Sequence, residues 1–234
     1  MKTRLLAAAV AAVALVGGCS APKSVPYKSV LGDFKAVVPW GWSVTTDSVG
    51  NSFAQVDFIG PFDGDFFLGA PSLSVRWYKR YGTHRLRGGS LEMYTDAADF
   101  FEQTLKNVYG ERESIVYGPG QREDGGREVV KRPEDLKLKG SGLAAKYFII
   151  LSPEKAPESN LWGVEKDRQG HAINMRMHAY ALVEVEGGFY VLCYPATRRG
   201  FDKYEDSFRT LLGSFRPLTA GPGGPKVRLA APTP

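Results

Sequence analysis

The stretch NMRMHAYALVEVEGGFYVLCY, residues 174–194, decides the fold of this chain. Its first part, Asn174 to Glu186, is rich in apolar and aromatic residues, as expected of a largely buried strand. Gly187-Gly188 follows as a two-residue hairpin signal, and Phe189 to Tyr194 returns as a second apolar strand. The stretch therefore predicts an antiparallel β-hairpin.

Shorter apolar segments precede this hairpin and have a similar character. Residues 53–59 alternate apolar and polar side chains, and this period of two is typical of a half-buried strand. The other strands that the sequence predicts are Phe34–Val38, Ser43–Thr46, Leu73–Tyr78, Ser114–Tyr117, Arg127–Lys131 and Ala144–Leu151. A long polar loop is predicted for residues 152–170.

Two segments have helical spacing instead. Residues 95–109 can begin with Thr95 as the N-cap and end before Gly110. The apolar stripe of this helix is Ala97, Phe101, Leu105 and Val108. A second helix is predicted from Tyr204 to Phe215. Because strands dominate and the two helices are separated by an antiparallel set, the sequence predicts an α+β domain with helices packed on a meander sheet.

Length and composition fit one globular domain with tails. The chain has 234 residues, 43% of them hydrophobic and 24% charged. Lys2 and Arg4 lie in a segment that we expect to be removed, which leaves 28 basic residues against 25 acidic ones, a net charge of +3. These basic residues are dispersed among acidic ones, so the sequence argues against a nucleic-acid partner.

The N-terminus has the organisation of an export signal. A positive segment, Met1 to Arg4, precedes twelve apolar residues, Leu5 to Val16, which are too few to span a bilayer. Val16-Gly17-Gly18-Cys19 then resembles the bacterial lipobox. The resemblance implies cleavage between Gly18 and Cys19, with diacylglycerol on the Cys19 thiol and a fatty acyl group such as palmitate on its amine. The alternative is an ordinary secretory signal with a chance cysteine.

A lipidated Cys19 would place the chain on a membrane, at its periplasmic or extracellular face. Since Ser20 and not Asp follows the cysteine, the membrane would be the outer one in a Gram-negative host. Residues 1–18 are then the signal peptide, residues 19–28 a lipid-anchored tether, and residues 219–234 a disordered Gly- and Pro-rich tail. With Cys19 acylated, Cys193 has no disulfide partner, and we expect it to be buried in a strand.

Two segments resemble PsbP-like domains, a group that includes the bacterial DcrB-like lipoproteins. One is Phe34 to Trp42, an apolar strand that runs into Pro-Trp-Gly-Trp. The other runs from Gly188 through Phe201–Phe208 to Ser214–Pro217, a strand followed by a helix and a Ser-Phe-Arg end. The resemblance implies an α-β-α sandwich around an antiparallel sheet over residues 29–218, and a non-catalytic binding or assembly role. Residues 118–170 depart from the pattern and leave the strand number open.

The sequence shows no recognisable catalytic or metal motif. The three histidines, His84, His171 and His178, lack metal-ligand spacing, and no Gly-x-Ser-x-Gly elbow or phosphate loop occurs. We therefore predict no catalytic residue, no enzyme activity and no cofactor other than the covalent lipid. A hydrolase that uses one of these histidines remains an alternative.

Two polar segments are candidates for binding. Asp57, Asp63 and Asp65 form a local acidic cluster on a Gly-containing turn, where carboxylates could hold Ca²⁺, or they form a solvated turn. The second segment is basic and aromatic, and could meet anionic lipid headgroups or a polyanionic wall polymer, or simply extend its cations into solvent. Its cations are Arg76, Lys79, Arg80, Arg85 and Arg87.

The functional hypothesis from the sequence is a membrane-anchored module of the cell envelope. It would bind the membrane through its lipid and an envelope protein or polyanionic polymer through a face of its sandwich. The alternatives are a small-ligand or Ca²⁺ carrier, with a cleft beside the sheet or the acidic turn as its site, and the hydrolase.

Overall fold

The structure, a computed structural model, describes residues 23–85, 91–109, 115–118, 134–156 and 162–227. The strands before the first helix are β1 Ser24–Lys28, β2 Phe34–Pro39, β3 Ser43–Val49, β4 Phe53–Ile59, β5 Ser72–Lys79, β6 His84–Arg85 and β7 Leu91–Glu92. The later strands are β8 Ile115–Tyr117, β9 Glu134–Lys137, β10 Ala144–Lys155, β11 Val164–Lys166, β12 Ala172–Val185, β13 Gly188–Thr197 and β14 Arg216–Pro217. The helices are α1 Ala97–Thr104, which continues as a π-helical turn Leu105–Tyr109, and α2 Phe201–Ser214.

An antiparallel sheet forms the centre of the domain. Within the described residues it has nine strands, in the order β3-β4-β5-β13-β12-β10-β8, with β9 also paired to β10 and β11 to β12. A smaller sheet, β1-β2-β14, and a two-stranded ribbon, β6-β7, complete the strands. The predicted α+β class with an antiparallel sheet and two helices is therefore confirmed.

The two helices cover opposite faces of this sheet. Successive side chains of each strand point alternately to these two faces. Leu73, Val75 and Trp77 point to one face, where they join the buried side of α2 and the smaller sheet. Tyr78 and Phe189 point to the other face, where they join the buried side of α1. The result is three layers, α2 with the smaller sheet, the main sheet, and α1.

The central hairpin forms as predicted, but its turn is shifted by one residue. Val185 pairs with Gly188, so the two turn residues are Glu186 and Gly187. Gly187 has φ of +76°, the left-handed conformation that favours glycine. Gly188 lies in the strand, where a Cβ would be 2.3 Å from the Tyr78 carbonyl oxygen.

Other differences lie at the ends of elements. The N-cap of α1 is Asp96, whose side chain accepts from the Asp99 N–H, and not Thr95. Val108 is 54% exposed because the π-helical turn rotates it away from the sheet. Residues 152–170 were predicted to form a loop. In the structure, β10 extends to Lys155 and a further strand, β11, lies within this range. The predicted strand 127–131 lies outside the described residues.

The smaller sheet and the C-terminal segment involve residues that the sequence assigned to tails. Residues 24–28 form β1, which pairs with β2. Residues 219–227 form a turn closed by a Thr219–Lys226 bridge, and this turn packs on Trp77. Within the described part of the chain, neither helix has the length and apolar character of a transmembrane segment.

Candidate functional site

The sheet face that α1 covers is divided into an apolar half and a polar half. Under α1, aromatic side chains such as Tyr78, Phe148 and Phe189 fill the space. Farther along the same strands, toward the loop between β4 and β5, the residues on this face become polar. This polar half comprises Gln55, Asp57, Ser72, Ser74, Arg76, Ser152, Glu154, Asn174, Arg176 and His178.

A cleft of about 430 Å³ opens between this polar half and the β4–β5 loop. The loop contributes Phe66, Phe67, Leu68 and Ala70, and the strands contribute Ser72, Glu154, Asn174, Arg176, His178 and Pro195. One wall is thus mainly apolar and the facing wall mainly polar. A volume of this size suits a small ligand.

The β4–β5 loop is held in place by contacts to β13 and α2 and by a hydrogen bond within the loop. The Thr197 hydroxyl donates to the Asp65 carbonyl oxygen. The Asp63 N–H donates to the Gly69 carbonyl oxygen at 2.7 Å, and Gly69 has φ of +70°. Phe66 is buried and packs edge-on against Tyr204 of α2, with 5.5 Å between ring centroids. These contacts fix the apolar wall of the cleft.

Two aspartates of the predicted acidic cluster also hold the loop. Lys203 donates to a carboxylate oxygen of Asp63 at 3.2 Å and to one of Asp65 at 2.5 Å. Hydrogen bonding by Lys203 keeps the pKa of Asp65 below its usual range. Asp57 stays on β4, where its carboxylate accepts from Gln55 at 2.8 Å. Among the described residues, no group of three or more His, Cys, Asp or Glu could hold a metal ion.

The floor of the cleft contains buried polar atoms that lack partners. Asn174 is only 2% exposed, and its Oδ1 has no hydrogen-bond partner among the described residues. Arg76 lies beside the cleft on the same face. Its Nε is also buried and has no hydrogen-bond partner among the described residues. At the rim, Arg176 and Glu154 form an ion pair. Buried polar atoms are nearly always hydrogen-bonded, so this floor is suited to a ligand or to water.

His178 lies in the cleft as a neutral ring. Burial, followed by the charges of Arg176 and Arg76, lowers the pKa of His178 to about 3. The Phe67 ring packs edge-on against it, with 5.7 Å between ring centroids. At neutral pH this imidazole is uncharged, and it can contribute to hydrogen bonding but not to charge.

The structure does not bring the other histidines to this site. His84 is buried in β6, and its ring stacks on Phe53 with 4.9 Å between ring centroids. His171 is exposed in the turn before β12, where its Nδ1 lies 3.1 Å from an Asp167 carboxylate oxygen. Cys193 is buried in β13, as predicted, and burial raises the pKa of its thiol to about 11.

No protein-family model matches the chain, and no curated protein matches it. Solved structures do match over most of its length. The cyanobacterial PsbP protein CyanoP from Synechocystis sp. PCC 6803 is 13% identical, with a TM-score of 0.44 over 86% of this chain and 96% of its own. LpqN of Mycobacterium tuberculosis, described as involved in cell envelope biogenesis, is 14% identical, with a TM-score of 0.42 over 83% and 90%. PA94, a Pseudomonas aeruginosa protein of unknown function, is 12% identical, with a TM-score of 0.38 over 82% and 96%. At these identities and TM-scores, the similarities assign no function to this chain.

The predicted basic segment is not one surface in the structure. Arg76 lies on the sheet face, while Lys79 and Arg80 are exposed at the end of β5 opposite the cleft. Arg80 forms an ion pair with Glu184. Arg85 is exposed in β6, and Arg87 lies outside the described residues. The predicted lipidation and cleavage residues, Cys19 and Gly18, also lie outside them.

Sequence reasoning considered a cleft beside the sheet but named none of its residues, and it missed Asn174 at the floor. One signal was present, because polar residues occur at every second position of an otherwise apolar strand, at Asn174, Arg176 and His178. On a strand, such residues share one face. The apolar wall gave no comparable signal, since its position depends on how the β4–β5 loop folds.

Proposed function

We propose that the chain is a membrane-anchored lipoprotein of the cell envelope that acts as a non-catalytic binding module, with the cleft as its ligand site. The observation that carries this proposal is the buried Oδ1 of Asn174 at the cleft floor, without a partner among the described residues. Leaving such an acceptor unsatisfied costs about 1–3 kcal/mol. A ligand that donates a hydrogen bond there recovers this cost when it binds.

The walls indicate the class of ligand. Phe67 and Leu68 offer an apolar surface, whereas the Oδ1 of Asn174 offers a hydrogen-bond acceptor beside the neutral His178. The Arg176–Glu154 ion pair at the rim already has balanced charge. We therefore expect a small amphipathic molecule with an N–H or O–H donor, without a requirement for net charge.

The chemistry of the cleft supports binding in preference to catalysis. His178 has its pKa lowered to about 3, far below the range useful to a general base at neutral pH. The Cys193 thiol has its pKa raised to about 11, so it is protonated and a poor nucleophile. Asp63 and Asp65 are engaged by Lys203, which also argues against the acidic turn as a Ca²⁺ carrier.

The anchor belongs to the same proposal and has its own test. Lipid on Cys19 should be found by mass spectrometry of the N-terminal peptide from protein exported by its host, as a diacylglyceryl group with or without an N-acyl chain. Two or three chains anchor a protein stably, at about 0.8 kcal/mol per buried CH₂. An unmodified Cys19 thiol, or a mature chain that starts beyond residue 19, would contradict the anchor. The assignment of the cleft as a ligand site does not depend on this result.

Asn174→Leu is expected to empty the cleft without unfolding the protein. The full-length wild-type protein, purified from its own membranes in mild detergent, should carry a small-molecule adduct in native mass spectrometry. The variant removes the acceptor, so its affinity for the ligand should fall by about tenfold or more, the equivalent of about 1.4 kcal/mol, and its ligand occupancy should fall with it. Compared with the ligand-free wild type, its unfolding temperature should stay the same or rise, because a buried unsatisfied atom is removed.

The matched control is Asn51→Leu, since Asn51 is exposed in the β3–β4 turn at the opposite end of the sheet. This variant should keep the adduct. An adduct retained by Asn174→Leu, or lost equally from both variants, would contradict the assignment of the cleft. A wild-type protein that carries no small molecule in repeated preparations would do the same.

A further inference from the structure

Several large apolar side chains are exposed at one end of the domain. Trp40 is 54% exposed, Phe62 70%, Leu68 89% and Trp162 43%. The rings of Phe62 and Trp162 contact each other edge-on, with 5.7 Å between centroids. Scattered single apolar residues are normal on a surface, but a group of this size at one end marks an interaction site. We call these four residues the apolar end.

Local packing places the four side chains on the same end of the sheet. The Gly163 N–H donates to the Gly64 carbonyl oxygen at 3.1 Å, which ties Trp162 to the β4–β5 loop that carries Phe62 and Leu68. Trp42 packs on the start of that loop so closely that a Cβ on Gly60 would lie 2.9 Å from its ring. Trp40, two residues before Trp42, is thereby held at the same end.

The chain also enters the domain at this end. The Trp40 N–H donates to the Lys23 carbonyl oxygen at 3.2 Å, and Ser24 pairs with Pro39. Cys19 precedes Lys23 by only four residues, which can span at most about 14 Å. A lipid on Cys19 therefore holds the apolar end close to the bilayer and not the opposite end, where the hairpin turn Glu186-Gly187 lies.

We infer that the apolar end lies in the interfacial region of the bilayer that anchors the chain. This inference extends the proposed anchor and rests on it for the position of the bilayer. Tryptophan favours the membrane–water interface, and phenylalanine and leucine bury apolar area there. The covalent anchor supplies a high local concentration, so a few side chains are enough to orient the domain.

The charged residues near the apolar end give no reason to expect a preference for anionic lipid. Lys203 is engaged by Asp63 and Asp65, and Arg198 forms an ion pair with Glu165 at 2.7 Å. We therefore expect the contact to form with zwitterionic phosphatidylcholine alone. Because Leu68 also lines the cleft, the cleft opens beside the membrane surface in this orientation.

Tryptophan fluorescence can test the orientation in the natural, lipidated protein. The chain has four tryptophans, of which Trp40 and Trp162 belong to the apolar end, whereas Trp77 is buried and Trp42 is half-buried. In phosphatidylcholine vesicles brominated on the acyl chains near the headgroup, wild-type fluorescence should be quenched. The double variant Trp40→Phe, Trp162→Phe should lose most of this quenching, although it stays bound to the vesicles.

A charge at the apolar end should weaken the contact. Leu68→Asp is expected to reduce the quenching several-fold, whereas the matched control Leu91→Asp is not, because Leu91 is 65% exposed in β7 away from the apolar end. Equal quenching in the wild type and the double variant would overturn the inference. So would an equal effect of the two Leu→Asp changes.

Two further outcomes separate this inference from others. If the wild type is a dimer in detergent, becomes a monomer on Leu68→Asp and shows no quenching, the apolar end contacts a second copy and the inference is wrong. If Cys19 carries no lipid but added vesicles still quench Trp40 and Trp162, the proposed anchor is wrong and the membrane contact of the apolar end is supported. A chain without lipid that neither binds vesicles nor is quenched overturns both.

Discussion

Replacing Phe208 with alanine is expected to lower the free energy of unfolding by about 3–5 kcal/mol. Phe208 is fully buried on α2. Its ring centroid lies 5.9 Å from that of Tyr194 and 6.5 Å from that of Tyr147, so the side chain joins α2 to two strands of the main sheet. Truncation leaves a cavity that a helix fixed at both ends cannot close. Urea unfolding followed by circular dichroism measures the loss.

Phe62→Ala is the matched control for this prediction. Phe62 is 70% exposed, and its truncation should change the free energy of unfolding by no more than about 0.5 kcal/mol. The same variant removes part of the apolar end, so it should fold normally and yet contact the bilayer less. Equal losses for Phe208→Ala and Phe62→Ala would contradict the assignment of α2 as the main cover of its sheet face.

Patterns within one strand were sufficient to predict most of the sheet. Residues 53–59 alternate in type, and β4 has those bounds in the structure. In the predicted strand Leu73–Tyr78, a period of two puts Leu73, Val75 and Trp77 on one face, and all three are buried in one cluster. A strand's period of two is a local property, so a single segment is enough to reveal it.

The cleft could not be predicted in the same way because it joins distant parts of the chain. Phe67 in the β4–β5 loop meets His178 in β12, more than one hundred positions later, and Glu154 in β10 pairs with Arg176. The acidic cluster was judged from spacing alone, and spacing did not reveal that Lys203 would lie between Asp63 and Asp65. Charges in neighbouring elements decide whether carboxylates are available to an ion.

The turn of the central hairpin shows how a tertiary contact resolves a local ambiguity. Two consecutive glycines allow the left-handed conformation at either position, and the sequence does not distinguish them. Gly188 is the residue that faces β5, where its lack of a side chain lets the Tyr78 carbonyl oxygen approach. The close strand pairing therefore requires Gly188, whereas the turn conformation requires Gly187.

Gly188→Ala should accordingly destabilise the protein by about 3 kcal/mol, the upper end of the usual cost of overpacking. The new Cβ would lie 2.3 Å from the Tyr78 carbonyl oxygen and 2.9 Å from the Trp77 Nε1, and the paired backbones of β13 and β5 cannot easily separate. The expected result is a lower midpoint of urea unfolding with an unchanged slope.

Gly213→Ala provides the same chemical change with the opposite expected sign. Gly213 lies in the last turn of α2, and a Cβ there would have no atom within 4 Å. Alanine should therefore stabilise the protein by about 0.5–1 kcal/mol, through helix propensity and a less flexible unfolded chain. If Gly188→Ala raised the midpoint as Gly213→Ala does, conformational freedom and not the contact with β5 would explain the glycine at position 188. The pairing of β13 with β5 would then be looser than the structure describes.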